Sequence, residues 1–160
     1  MELQQWLNET PIGEFCFTIL VSMLPVVELR GGIPFGLQAG LTLPMAFGAA
    51  FIGNILPVPF LILFTRRVLA WLRQKIPPVR GAVNWLERKA DKKKDIVLRY
   101  SALGLFILVA IPLPGTGAWT GCLVAAFLDM RLKSAVPAII AGVLAAGFIV
   151  SILSYGLFSL

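Results

Sequence analysis

Three stretches of this chain carry no charge: 35–65, with 31 residues; 100–128, with 29; and 134–160, with 27. A helix needs about 20 apolar residues to cross a bilayer, so each stretch is long enough by count. Prolines and glycines divide them unequally. PLPGTG, at 112–117, cuts the second stretch in the middle, because proline removes helix donors and glycine loosens the backbone. The remaining pieces, 100–111 and 118–128, have 12 and 11 residues. At about 1.5 Å per residue each is roughly 17–18 Å long, too short for a hydrocarbon core of about 30 Å. The start of the chain has the same order: an apolar run over 15–27, a break, and a short apolar piece over about 34–41. By contrast, 43–65 and 134–158, with 23 and 25 residues, are long enough to span.

The order of segments therefore occurs twice. ILVSMLP at 19–25 is matched by ILVAIPLP at 107–114. GGIPFG at 31–36 has its counterpart in PGTGAWTG at 114–121. Weak internal symmetry of this kind marks many transporters. The predicted fold is an all-α integral membrane protein. Each copy is a re-entrant helical hairpin plus a transmembrane helix, and the copies form an inverted repeat joined by cytoplasmic amphipathic linker helices. The chain is one membrane domain, 1–160. Repeat 1 covers about 12–65, the basic linker 66–99, and repeat 2 about 100–160.

Charge bears on this topology. Of 14 basic residues, 11 fall in 66–99, beside only three acids. Arg131 and Lys133 flank the last apolar stretch, and the remaining one is Arg30. The positive-inside rule puts 66–99 in the cytoplasm. Two hairpins and two spans leave every basic residue but Arg30 inside, whereas four full spans would put Arg131 and Lys133 outside. Within the linker, 66–75 and 79–98 are predicted as interfacial helices separated by Pro77-Pro78, with Trp71 and Trp85 at the headgroups. The basic charge reads as contact with anionic membrane lipids rather than with nucleic acid.

Composition narrows the chemistry. Hydrophobic residues make up 58% of the chain and mean hydropathy is +0.87, well above the balance of a soluble domain. There is no histidine, so the commonest metal ligand and the usual near-neutral proton switch are missing. Cys16 and Cys122 lie in apolar surroundings and read as small core residues. The N-terminus, with three glutamates and no basic residue before the first apolar run, does not read as a signal peptide. Neither a nucleophile with its base, a nucleotide loop nor a zinc cluster is apparent. No enzyme activity, cofactor or metal is expected.

The candidate site lies in VVELRGGIPFG at 26–36. No charge lies between Glu14 and Glu28, and none between Arg30 and Arg66. Ionisable residues at membrane depth are expensive and usually functional. The plainer alternative is an interfacial loop between ordinary helices. Pro34 is expected at a first helical position, with Gly31, Gly32 and Ile33 offering free N–H groups to an anion. The second hairpin is expected to restart near Thr116 or Gly117, with Thr116 as cap. Arg30 suits phosphate or carboxylate. Glu28 is expected to neutralise Arg30 at rest and to take up a proton when an anion replaces it. Asn54, the lone strongly polar side chain in 43–65, either lines the cavity or bonds a neighbouring helix. Asp129 is expected to pair with Arg131 or Lys133.

ELRGGIP at 28–34 with PLPGTGAWTG at 112–121 resembles the small multi-drug export protein family of prokaryotes, itself similar to the DedA (SNARE-associated, VTT-domain) superfamily. The resemblance spans nearly the whole chain. It implies inverted re-entrant hairpins, a prokaryotic inner membrane, and a role in translocating polyprenyl-phosphate carriers or phospholipids. Carried over, it puts Glu28, Arg30 and the turn of Pro112, Pro114, Gly115, Thr116 and Gly117 at the central site. The chain is shorter than typical DedA proteins, and its second break has no arginine. Two function classes stay open. One is a carrier of an anionic lipid or other phosphate-bearing substrate, working as a homodimer or larger oligomer. The other is a proton-coupled exporter of cationic drugs with Glu28 as proton carrier. A cation beside the key carboxylate disfavours the second.

Overall fold

The computed structural model describes residues 10–75, 94–113 and 115–158. Seven helices and no strand occur among them: α1 (Pro11–Ser22), α2 (Glu28–Gln38), α3 (Leu43–Ile55), α4 (Val58–Lys75), α5 (Lys94–Ala110), α6 (Ala118–Phe127) and α7 (Leu132–Phe158). Local chemistry sets several ends. Thr10 caps α1, its hydroxyl oxygen accepting from the Gly13 N–H at 3.0 Å, with Pro11 in the first turn. Pro25 lies in the turn that ends α1, and Pro112 just beyond the end of α5.

Several boundaries differ from expectation. α2 begins at Glu28, so Pro34 is inside the helix rather than at its start. The chain coils early here: the Glu28 N–H donates to the Leu24 carbonyl at 3.0 Å and the Gly31 N–H to the Val27 carbonyl at 2.8 Å. The Gly31 amide is therefore already used and is not free for an anion. The segment 43–65 is not one unbroken helix. It breaks at Leu56-Pro57, where proline cannot donate, and α4 then continues past 65 to Lys75. Residues 66–75 thus continue α4 instead of forming a separate helix. Most of the expected 79–98 helix, and Pro114, lie outside the described residues.

Two segments are long and apolar enough to cross a membrane: Leu43–Trp71, with mean hydropathy 2.0, and Leu132–Ser154, with 2.5. Exposed residues are large and apolar, among them Phe60, Phe64, Leu103, Phe148 and Ile152. Helix contacts inside are built on small residues, as in membrane bundles. At Gly53 of α3, any Cβ would collide with the Ile19 carbonyl of α1, so only glycine permits that crossing. The core joins α2, α4, α5, α6 and α7 through Leu29, Ile33, Ile62, Val109, Cys122 and Ile139.

The packing order repeats between halves. α1 and α2 pack on α3, and α5 and α6 pack on α7. α2 also reaches α7, and α6 reaches α4, so each helix after a break touches a long helix of the other half.

Candidate functional site

The two breaks meet. Glu28 opens α2 with φ +50°, a left-handed backbone that costs a non-glycine residue on the order of 1 kcal/mol. Glu28 is only 7% exposed. Its Oε1 accepts from the Trp119 N–H of α6 at 3.1 Å. Gly117 is the N-cap residue of α6 and supplies no side chain. A Cβ on Gly117 would overlap the Glu28 carboxyl group, so glycine leaves the space that the carboxylate fills. A carboxylate at a helix N-terminus satisfies orphan donors and faces the positive end of the dipole.

Arg30 goes to the other side of the same break. Its guanidinium donates to the Leu113 carbonyl, to the Ile111 carbonyl at 3.0 Å and to Thr116 Oγ1 at 3.3 Å, with the Val109 carbonyl at 3.5 Å. These carbonyls belong to the C-terminal end of α5 and the turn beyond it, where cations are favoured. The first break thus holds both ends of the second, with each charge on the dipole end of opposite sign.

The expected resting pair is not a direct contact, although the two charges still act on one another. The only ion pair among the described residues joins Arg66 to Asp129, so Glu28 and Arg30 do not form a direct salt bridge. Each gains more hydrogen bonds from the neighbouring helix ends than from a partner two residues away. Thr116 does not cap α6. Its hydroxyl donates to the Ile111 and Leu113 carbonyls, both at 2.9 Å, which tightens the turn, while Glu28 takes the capping role. Asp129 pairs with Arg66 of α4 at 3.6 Å, not with Arg131 or Lys133. Arg66 also donates to the Met130 carbonyl, tying α4 to the turn between α6 and α7.

The remaining candidates fall into place around this clamp. An open cavity of about 290 Å³ is lined by Pro25, Val26, Val27, Glu28, Arg30, Gly31, Gly115, Thr116 and Thr120. Behind it, a pocket of about 10 Å³ is lined in part by Glu28, Arg30, Asn54, Gly117 and Ala118. Gly32 does not line either space: it is buried where α2 presses on Ser22 and Ala50. Pro112 and Pro34 likewise line neither, and shape the backbone instead. The sequence reading missed the Trp119 amide, the α5 carbonyls and the Met23 carbonyl, to which the Trp119 indole N–H donates at 3.1 Å. Backbone groups leave no residue-type signal.

Among the described residues, no group of three or more potential metal ligands comes together. Residues 28–149 match the family model described as "Putative small multi-drug export protein". The match covers most of the chain and begins at Glu28. No curated protein and no solved structure matches.

Proposed function

The chain belongs to the small multi-drug export protein family, and we propose that it is a membrane transporter whose two helix breaks form one gated site for an anionic lipid or other phosphate-bearing substrate. One observation carries this reading. Glu28 occupies the N-terminus of α6, a natural anion seat, at the wall of an open cavity, while Arg30 stands on the same wall. An anion entering the cavity competes with Glu28 for the α6 amides and with the α5 carbonyls for Arg30. Either exchange releases one end of the clamp. Binding is thereby coupled to movement of the second break.

In this reading α1–α2 and α5–α6 are re-entrant hairpins that enter from opposite faces and cover one another's irregular backbone at depth. The reciprocal packing of α2 on α7 and α6 on α4 supports an inverted repeat. The resemblance to DedA proteins points to the same arrangement and to a lipid-like substrate. The basic segment 66–99 faces the cytoplasm of a prokaryotic cell, near anionic headgroups. A polar site this deep is not easily enclosed by two spans and two hairpins, so the working form is a homodimer or larger oligomer.

A second reading is favoured by the family description: a proton-coupled exporter of cationic drugs with Glu28 as carrier. Proteoliposomes separate the two. A fluorescent short-chain phosphatidylglycerol and the cation ethidium are offered to wild type, Glu28→Gln, Arg30→Ala and Glu28→Gln with Arg30→Gln. The anionic-substrate reading expects lipid movement in wild type, at least tenfold slower in all three variants, and no ethidium flux. Ethidium transport that Glu28→Gln abolishes selects the second reading. Normal lipid movement by the double variant overturns the role of the clamp.

A further inference from the structure

Asn54 lies behind the clamp. It belongs to α3, is 3% exposed, and its Oδ1 has no hydrogen-bond partner among the described residues. Buried, unpaired amide oxygens are rare because they forfeit the bonds water would give. With Glu28, Arg30, Gly117 and Ala118 it lines the pocket of about 10 Å³, roughly the room of one water molecule.

The Asn54 amide oxygen and the Glu28 carboxylate cannot bond each other while Glu28 is ionised. A carboxylate only accepts, and so does an amide oxygen. Adding a proton gives the carboxyl group one O–H donor and removes the charge that favours the helix N-terminus. We propose that Asn54 is a second seat for Glu28: the ionised carboxylate caps α6, and the protonated carboxyl group donates to Asn54 Oδ1, directly or through the single water the pocket admits. The proton adds to one carboxylate oxygen, and the Trp119 N–H that Oε1 accepted from becomes free. The freed amides can then hold an anion. Proton and anion occupy the site together, so one proton accompanies each substrate charge that replaces the Glu28 carboxylate. What the freed amides bind rests on the transport reading above; the two seats do not.

Few other charged or titratable groups bear on Glu28. Arg30, on the same helix, is held by carbonyls at the end of α5 and in the turn beyond it. α6 brings the Cys122 thiol near. α3 carries no titratable residue, and α7 carries Lys133 and Tyr155 near its two ends. α1 carries Cys16, and Glu14, whose carboxylate lies beside Gly40.

The test needs no substrate. Protein in phosphatidylcholine vesicles is stepped through pH while infrared difference spectra follow the carboxylic C=O band that Glu28→Gln removes. In Asn54→Leu the band should shift to higher frequency, as its hydrogen bond is lost. Its half-titration should fall by about one pH unit, the worth of one buried hydrogen bond. Melting should be unchanged or higher, because the oxygen removed had no partner. An unshifted band with an unchanged half-titration overturns the proposal. So does an Asn54→Leu protein that fails to assemble, since that would mean the amide has an essential structural partner. A shifted band beside absent lipid transport would instead sink the transport reading and leave the two seats standing.

Discussion

At the scale of single residues, the site works by exclusion as much as by contact. Gly117 has extended backbone, φ 164°, that any residue adopts, so its need for glycine comes from the carboxylate beside it. Gly117→Ala should push Glu28 off the α6 amides and cost about 1 kcal/mol, the value of a lost cap. In a Glu28→Ala background the same change should cost almost nothing. Thermal melting of the four proteins in detergent closes this double-mutant cycle, and additive effects would mean that Gly117 and Glu28 do not share that space. That Glu28 and Arg30 stand apart was legible from their isolation in an apolar chain. Their partners were not, because the bonds run to backbone groups 81 and 91 residues further along. A pairing between near neighbours was the simpler reading of ELR, and the helix ends outcompete it.

At the scale of helices, the short-break-short-long order was readable because prolines and glycines interrupt runs whose length is otherwise sufficient. Exact ends were less so. The Leu56-Pro57 break was not separable from the uncharged run around it, and α4 outran its predicted end because Arg66 and Arg67 read as the start of a separate interfacial helix. Arg66 instead reaches the turn before α7. It touches two things there, and they should differ in worth. Asp129 is 75% exposed on its side chain, so Asp129→Asn should change stability by about 0.5 kcal/mol or less. Met130 is buried, so Arg66→Ala strands its carbonyl and should cost about 1–3 kcal/mol. Equal melting losses would show that the exposed ion pair, not the carbonyl bond, ties α4 to this turn.

At the scale of the whole molecule, membrane character was plain from hydropathy, and the two segments long and apolar enough to span follow it. Topology adds a test of its own. In a variant lacking Cys16 and Cys122, new cysteines at 42 and 132 should label from opposite faces of sealed vesicles, with 132 on the same side as 92. Labelling of 42 and 132 from one face would fit four full spans and remove the hairpins. Crosslinking in native membranes should also trap a dimer or larger form, and a monomer throughout would count against a shared site.

The way one break holds the other also bears on how the protein is made. Trp119 follows Glu28 by 91 residues. At about 5–20 residues per second of synthesis, the ribosome delivers it roughly five to twenty seconds later. During that interval a nascent chain carries a carboxylate and a guanidinium with neither of their final partners yet made. If the pair lies at membrane depth, as the transport reading has it, the first half is an orphan until the second half emerges. A chain stopped after the linker should be degraded quickly, and supplying the second half as a separate polypeptide should rescue it.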